Sequence, residues 1–288
     1  MTAGWPIWVI SLADAADRRR NVEAQFAALG LPFTFLDAVD GRSGLPASCE
    51  HQVDRPGTLA RYGFPMSDGE YACALSHQLA YQKVLDERLP GAIILEDDVL
   101  LTTNFRRFYE TRGYEAAPLI QFFYFHAAVW KMGRLETPTA RLQRLASSAF
   151  MAAGYSITAK GAATMRTHGL PLRGKPDWPC ETARLLGHYI TEPRLVLHPD
   201  PDASHSFLSG TRVGLLPEDF DFSADYAKGW RRLYSPASWK RLLTRAFRQE
   251  LSPGYAPTAE EAASFVLIPA PDGRVVAGHP ETVRAIAL

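Results

Sequence analysis

Short apolar runs alternate with helical patterns in the first part of the chain, and this alternation restricts the fold more than any other feature. The three runs have the length and the β-branched and aromatic content of buried strands: residues 6–12 (PIWVISL), 32–41 (PFTFLDAVDG) and 92–101 (AIILEDDVLL). Residues 14–30 and 67–91 carry helix signals, including Ser67 and Glu70 at capping-box spacing. Residues 42–66 predict a long irregular loop. The pattern predicts an α/β fold with a mostly parallel central sheet flanked by helices.

Three consecutive acids, Glu96, Asp97 and Asp98, directly follow the apolar part of the third run. Like charges this close repel each other and lose hydration when they are buried, so a cation, arginines or water must compensate them. Ligands of parallel sheets bind at the carboxyl ends of the strands, where Asp37 would also lie. Carboxylates at such an edge predict a site for Mg²⁺ or Mn²⁺ shared with phosphate oxygens. The alternative is one helix-capping acid among solvated loop residues.

Two arginines and one acid near this edge predict contacts with a nucleotide. Arg18 and Arg19 follow the first strand, where phosphates commonly dock in α/β folds, although a solvated helix face would have the same sequence. Asp37 ends the second strand, where an acid accepts hydrogen bonds from a ribose hydroxyl or a base N–H. A plain turn-forming role for Asp37 is an equal alternative.

Composition excludes several classes of protein. The net charge is zero and the pI is about 7.1, which predicts no nucleic-acid partner. Three widely spaced cysteines form neither a metal-binding motif nor a disulfide framework. The N-terminal apolar stretch is too short for a signal peptide, and no segment approaches the ~20 apolar residues of a membrane span. We therefore expect a cytoplasmic protein.

Four segments come in an order and spacing that resemble glycosyltransferase family 25, which includes bacterial lipooligosaccharide and animal collagen galactosyltransferases. They are WVISLADAADRRRNVEAQFAALGLPFTFLDAVDG, GEYACALSHQLAYQKVLDE, AIILEDDVLL and AAGYSITAKGAATM, and the resemblance covers residues 6 to about 205. It implies a GT-A-like nucleotide-sugar-binding fold, a UDP-sugar donor, a divalent metal (Mn²⁺ or Mg²⁺) and inversion at the anomeric carbon. Family bias favours galactose as the donated hexose and a saccharide or lipid-linked saccharide, such as lipopolysaccharide core, as the acceptor.

The resemblance also implies roles for individual residues. The acids stand where GT-A enzymes carry an Asp-x-Asp motif, so Glu96 and Asp98 become metal ligands, with Asp98 in direct contact. Arg18 and Arg19 match the arginine pair of the family, and Ser76 and His77 match its Ser-His pair, although a helical His is more often a packing residue. The predicted donor-contacting set is Arg18, Arg19, Asp37, Ser76, His77 and Asp97.

A general base and a late histidine complete the implied site. The family usually places an Asp at the start of a helix after the AGY strand, and residues 174–189 offer Asp177 and Glu181. The Trp-Pro pair after Asp177 departs from the usual pattern, so both remain candidates and Asp177 is preferred. Residues 197–212 (LHPDPDASHSFLSGTR) offer His198 and His205, with two acids, as a further metal ligand. His205, in a loop of small residues, is preferred.

The remaining segments predict further elements and a second region. Residues 119–130 and 194–199 predict strands, and residues 147–169 predict a strand followed by a helix. We divide the chain into a catalytic domain, 1–227, and a helical or irregular C-terminal appendage, 228–288.

A basic-aromatic helix is predicted at the start of the appendage, over residues 235–250. Apolar residues fall on one face and basic residues cluster toward the other, which is typical of a helix lying on an anionic membrane. It would give the enzyme a peripheral association with the inner face of the membrane. The alternative is that the apolar face packs on the catalytic domain.

Two other classes of function fit the same acids. One is a metal-dependent nucleotidyltransferase or phosphohydrolase, and the other is a non-catalytic carbohydrate-binding relative. Products formed from a UDP-sugar distinguish the three.

Overall fold

The computed structural model describes residues 4–63, 65–174, 177–199, 244–269 and 275–277. In chain order the strands are β1 (Ile7–Ser11), β2 (Thr34–Asp37), β3 (Gly91–Glu96), β4 (Leu100–Leu101), β5 (Leu119–Gln121), β6 (Ala127–Trp130), β7 (Leu135–Glu136), β8 (Arg141–Arg144), β9 (Gly154–Thr158), β10 (His188–Glu192), β11 (Val196–Leu197), β12 (Arg248–Leu251), β13 (Leu267–Pro269) and β14 (Val275–Ala277). The helices are α1 (Ala16–Leu29), α2 (Arg55–Tyr62), α3 (Asp68–Asp86), α4 (Thr103–Glu110), α5 (Ala159–Gly169), α6 (Thr182–Leu185) and α7 (Ala259–Ala263).

An eight-stranded sheet forms the centre of the molecule, in the order β2-β1-β3-β9-β5-β10-β8-β7. Strands β8 and β9 run against the other six, because each pairs antiparallel with its neighbours while β2, β1 and β3 pair in parallel. The predicted α/β architecture with a mostly parallel sheet is confirmed. The first two predicted helices are confirmed as α1 and α3.

Strand β3 is buried on both faces, which explains its uninterrupted apolar sequence. Ile93 and Leu95 pack in one cluster with Phe26 of α1, while Ile94 packs in another with Val84 of α3. Helices therefore cover both faces of the sheet. Full burial of such a side chain contributes about 1.5–3 kcal/mol, so the register of β3 is strongly fixed and its acids must emerge at the sheet edge.

Local signals explain two helix starts. The Ser67 side chain accepts a hydrogen bond from the Glu70 N–H (3.2 Å) and the Glu70 carboxylate accepts one from the Ser67 N–H (2.9 Å), so the predicted capping box begins α3. Thr158 caps α5 by accepting from the Gly161 N–H at 3.1 Å, which confirms the predicted strand and helix over 147–169 in outline.

The long loop predicted over residues 42–66 is wrong. Residues Ala47–Gln52 form a 3₁₀ turn and α2 follows it. Asp54 accepts a hydrogen bond from the Gly57 N–H at 2.9 Å, and a proline stands in the first turn, so an N-cap and a helix-starting proline were both present in the sequence.

The single strand-like segment over 119–130 divides into β5 and β6. Phe122 and Phe123, between them, are fully buried in the main core, so the chain turns there to insert both rings. The predicted strand over 194–199 is confirmed as the short β11, which pairs antiparallel with β4.

The helix predicted over residues 235–250 is wrong in its described part. Arg245–Phe247 form one 3₁₀ turn, and β12 pairs antiparallel with β6, with the Arg248 guanidinium 4.8 Å from the Trp130 ring centroid. Pairing with β6 and the contact with the Trp130 ring therefore outweigh the helical sequence pattern of these residues. Residues 235–243 and the boundary predicted between 227 and 228 lie outside the described residues.

The described part of the appendage packs on the main core. Val266 and Ile268 are buried in the same cluster as β3, and Arg194 forms an ion pair at 2.7 Å with Glu261 of α7 in which both side chains are buried. Within the described part of the chain, no helix has both the length and the hydropathy needed to cross a membrane.

Candidate functional site

The carboxyl ends of β1, β2 and β3 meet at one edge of the sheet. Ser11 pairs with Asp37 in the β1–β2 register, and Ile10 pairs with Glu96 in the β1–β3 register. The structure therefore brings Asp37 and the acids after β3 to the same edge. Arg18 and Arg19, near the start of α1, contact residues of this edge.

Asp97 is the most enclosed of the three acids. The Ser11 hydroxyl donates to its Oδ2 at 2.7 Å and the Arg18 Nη1 donates to its Oδ1 at 2.8 Å. Burial and the neighbouring Asp98 raise the pKa of Asp97, although Arg18 and Ser11 act against this. Because both carboxylate oxygens are engaged within the protein, Asp97 fixes Arg18 in place.

Asp98 lies between two cationic groups. Its Oδ2 is 3.3 Å from the Arg18 Nη1, and its Oδ1 is 3.3 Å from the Nε2 of His198. Burial alone raises the pKa of Asp98, but the charges of His198 and Arg18 lower it well below its usual range. Burial lowers the pKa of His198, but the negative charge of the Asp98 carboxylate outweighs this effect and raises that pKa to about 9. Cationic side chains thus compensate the clustered acids.

Glu96, Asp98 and His198 fit a divalent cation, which would displace the proton from the His198 Nε2. Their ligand atoms all lie within 4.8 Å of one another. The His198 Nδ1 donates to the Pro199 carbonyl at 2.6 Å, which directs Nε2 toward Asp98, and metal-bound histidines commonly donate their second nitrogen in this way. The Asp98 Oδ1 is buried and accepts no hydrogen bond of good geometry. Two carboxylates and one imidazole suit Mn²⁺ better than the all-oxygen preference of Mg²⁺.

His198 is the site residue that the sequence prediction passed over in favour of His205. The pairing of β11 with β4 places His198 beside the acids, since β4 begins two residues after Asp98. A histidine directly after a short apolar strand was the available signal. His205 lies outside the described residues, and its metal-binding role stays a prediction.

Ser76 and His77 lie on α3 and contact residues at or near this edge. The Ser76 hydroxyl accepts from the Val39 N–H at 2.9 Å, which holds the segment after β2. The His77 Nε2 lies 3.2 Å from the Glu96 Oε1, and its Nδ1 lies 2.8 Å from the Tyr155 hydroxyl. Both residues are buried, at 4% and 2% exposure, so the observed contacts orient the acid and the loop. Their contact with a donor stays a prediction.

Arg19 and Asp37 form an ion pair at the outer part of the edge. The Arg19 Nη2 donates to Asp37 and also to the Ser11 carbonyl oxygen at 3.0 Å. The Asp37 side chain is 71% exposed, so a ligand at the edge can reach it. This arrangement keeps an acid accessible beside a fixed guanidinium.

The two candidate bases occupy different surroundings. Burial raises the pKa of the Cys73 thiol, and the charges of Glu96, Asp177 and Asp98 raise it further, so Asp177 acts on the same group as the acids of the edge. Glu181 is exposed, accepts from the Ser148 hydroxyl at 3.4 Å, and acts on Cys180 instead. The role of either residue as the general base stays a prediction.

The family model described as glycosyltransferase family 25 (LPS biosynthesis protein) matches residues 5–169. The chain belongs to this family. The resemblance stated from the sequence is therefore confirmed. The match includes the acids, both arginines and the Ser-His pair, whereas Asp177, Glu181 and His198 follow it.

Three relatives illustrate the range of this glycosyltransferase family. The lacto-N-neotetraose biosynthesis glycosyltransferase LgtE of Neisseria meningitidis serogroup B is 39% identical over 100 residues, 35% of this chain and 34% of the relative. The lipooligosaccharide biosynthesis protein lic2B of Haemophilus influenzae is 37% identical over 101 residues, 35% of this chain and 36% of the relative. A mouse protein named inactive glycosyltransferase 25 family member 3 is 35% identical over 104 residues, 35% of this chain and 18% of the relative.

The matched segment spans only about a third of the bacterial relatives. Among solved structures, one described as mannose-1-phosphate geranyltransferase from Thermus thermophilus matches with a TM-score of 0.35 and 8% identity, over 65% of this chain and 73% of that chain. That likeness is too distant to inform on activity.

Proposed function

We propose that this glycosyltransferase has a GT-A-like site and transfers a hexose, with galactose favoured, from a UDP-sugar to a saccharide acceptor with inversion. The observation that carries the proposal is the cluster of Glu96, Asp98 and His198 beside Arg18 at the carboxyl edge of the sheet. Ligands of α/β sheets bind at such edges. The names of the bacterial relatives, which refer to lacto-N-neotetraose biosynthesis and to lipooligosaccharide biosynthesis, support a saccharide or lipid-linked saccharide acceptor.

Each side chain then has a role in donor binding. A divalent cation bound by the three clustered residues would neutralise charge on the donor diphosphate. Arg18, held by Asp97, presents a second positive charge to the phosphates. Asp37, held by Arg19 and exposed, accepts hydrogen bonds from the ribose or the base.

Asp177 is the proposed general base. In an inverting transfer it takes the proton of the acceptor hydroxyl while that oxygen bonds to the anomeric carbon and the bond to UDP breaks. Its charge acts on Cys73 together with the charges of Glu96 and Asp98, which supports a role for Asp177 near the proposed diphosphate site. Glu181 is the alternative base.

The test is a screen of UDP-sugars with saccharide acceptors, with Mn²⁺, with Mg²⁺ and with EDTA. We expect acceptor-dependent release of UDP in the presence of the cation, strongest with UDP-galactose, and a product of inverted anomeric configuration. A product of retained configuration would contradict the inverting mechanism. Full activity in EDTA would contradict the requirement for a metal ion.

The same screen separates the two rival functions. A phosphohydrolase or nucleotidyltransferase breaks the phosphoanhydride bond and transfers the uridylyl group to water or to another acceptor, so sugar 1-phosphate would appear in place of UDP. A non-catalytic relative would bind UDP without turnover, and the mouse protein shows that a member of this family can carry the name inactive. The intact set of Glu96, Asp98 and His198 favours catalysis.

Peripheral membrane association through residues 235–250 also stays a prediction. Residues 245–250 form a 3₁₀ turn and part of a strand, so they do not supply the predicted helix. Lys240 and Arg241, two of its basic residues, lie outside the described residues. Co-sedimentation with anionic and with neutral vesicles tests it, and a protein that stays in the supernatant with both contradicts it.

A further inference from the structure

A second cluster of metal-ligating side chains lies on the other side of Glu96. The ligand atoms of Cys73, His77 and Glu96 all lie within 4.8 Å of one another. Cys73 and His77 are four residues apart on α3, so their side chains lie on the same helix face, and Glu96 reaches them from the end of β3. This cluster shares Glu96 with the cation site above and otherwise consists of different residues.

The hydrogen bonds of His77 leave one ring nitrogen suited to a cation. The Tyr155 hydroxyl donates its proton to Tyr81 at 2.9 Å, so it accepts from the His77 Nδ1–H at 2.8 Å. In a neutral imidazole the Nε2 is then a lone-pair acceptor, and it faces the Glu96 Oε1, another acceptor, at 3.2 Å. Two acceptors in contact need a proton or a metal ion between them.

The separation of these two atoms fits a tetrahedral metal site. Zinc bonds of about 2.0 Å to nitrogen and oxygen place the two ligand atoms about 3.3 Å apart at a tetrahedral angle, close to the 3.2 Å observed. The Tyr155 hydroxyl, which is fully buried, fixes the orientation of the His77 ring in the way that outer partners of metal-bound histidines do.

We propose that Cys73, His77 and Glu96 form a second cation site, which takes a thiophilic divalent ion such as Zn²⁺ in preference to Mn²⁺ or Mg²⁺. Sulfur, imidazole and carboxylate groups are all zinc ligands, whereas thiolate is a poor ligand for hard cations. On binding, the thiol proton passes to solvent and the sulfur bonds to the metal. Cys73 and Glu96 are partly exposed, so the ion can enter from the sheet edge.

One consequence rests on the proposed function. Glu96 belongs to both clusters, so Zn²⁺ beside Cys73 would compete with the catalytic cation for this carboxylate. Zn²⁺ should then inhibit transfer in the wild type and inhibit it much less in Cys73→Ser. The binding test below uses no donor, so its result is independent of the transferase assignment.

The binding test uses the full chain, without UDP-sugar, and Cd²⁺ as a spectroscopic substitute for Zn²⁺. We expect an ultraviolet thiolate-to-cadmium charge-transfer band that Cys73→Ser removes. Cys49→Ser and Cys180→Ser are matched controls and should keep the band, since neither cysteine belongs to the cluster. Asp98→Asn should also keep it, because Asp98 belongs to the other cluster. The Zn²⁺ affinity of Cys73→Ser should fall by about 100-fold or more.

A measurement on the wild type covers the case in which Cys73→Ser does not fold. Zn²⁺ should protect Cys73 from alkylation, as followed by peptide mass spectrometry, and Mg²⁺ should not. The proposal is overturned by equal alkylation of Cys73 with and without Zn²⁺. A charge-transfer band that persists in folded Cys73→Ser would also overturn the proposal. So would a wild-type protein that shows no such band with Cd²⁺.

Discussion

At the scale of single residues, Asp98 joins the parts of the site, because it contacts both His198 and Arg18. Asp98→Asn keeps the size of the side chain and removes its charge. We expect kcat/KM with Mn²⁺ to fall by at least ~10² while the fold survives, since loss of hard-cation coordination costs several kcal/mol in the transition state. Steady-state kinetics over a Mn²⁺ titration measures this.

Asp86→Asn is the matched control for that substitution. Asp86 lies at the exposed end of α3, where it accepts from Gln82 at 2.7 Å, and its loss should leave kinetics unchanged. Near-normal turnover of Asp98→Asn in EDTA would rule out a metal-binding role for Asp98.

A second prediction at this scale distinguishes the candidate bases. Asp177→Asn should lower kcat by ~10²–10⁴, the usual cost of losing a general base, and leave the Kd for UDP unchanged. Glu181→Gln, the matched comparison, should change kcat little, because Glu181 contacts Ser148 at an exposed position. The reverse pattern would assign the base to Glu181.

Sequence reasoning located the acids because an apolar run ending in charges must leave the core where the strand ends. It did not choose His198, since that choice depends on β11 pairing with β4, across about a hundred residues of chain. It gave Asp97 a donor contact, which stays a prediction, and it did not foresee that Ser11 and Arg18 contact the two carboxylate oxygens of Asp97. The pairing of β11 with β4 and the contacts of Asp97 both join residues that are far apart in the sequence, so local sequence patterns do not reveal them.

At the scale of elements, the ion pair between Arg194 and Glu261 ties α7 to the segment between β10 and β11. The Arg194 guanidinium also donates to the Gly254 and Ala256 carbonyl oxygens, at 2.7 and 2.8 Å. Arg194→Met leaves a buried carboxylate without its partner, so the free energy of unfolding should fall by about 3–5 kcal/mol. Urea unfolding followed by circular dichroism measures the change.

The double variant Arg194→Met with Glu261→Gln provides the control. It removes the uncompensated charge and should be more stable than Arg194→Met alone. Equal stability of the wild type and Arg194→Met would show that the pair contributes nothing to the docking of α7.

Helices and strands with strong local signals were predictable, and those chosen by distant partners were not. Gly30 ends α1 in the left-handed conformation, at φ 63°, as its position after a helical pattern indicated. The residues of β12 have a helical pattern, yet pairing with β6 and the contact with Trp130 decide their conformation.

At the scale of the whole molecule, stability should depend on pH through His188. Burial lowers the pKa of this histidine to about 3, far below that of an exposed histidine. The unfolded chain therefore binds one more proton than the folded protein between about pH 3 and 6.5. The contribution of His188 to the free energy of unfolding is fully present above about pH 6.5. Below that pH it decreases by up to about 1.4 kcal/mol for each unit by which the pH is lowered.

Unfolding in urea between pH 5 and 7.5 tests this dependence. His188→Gln should show a shallower loss of stability toward pH 5 than the wild type, whereas His168→Gln, at an exposed position of α5, should match it. Identical slopes for wild type and His188→Gln would exclude His188 as the cause.

The position of β10 within the sheet has a consequence for how this protein can diverge. The match to the family model ends at residue 169, yet β10 begins at His188 and inserts between β5 and β8. The matched segment therefore does not contain its whole sheet, because a later part of the chain supplies a strand inside it. Sequence changes after residue 169 are constrained accordingly, since β10 must keep its parallel register with β5 and its antiparallel register with β8.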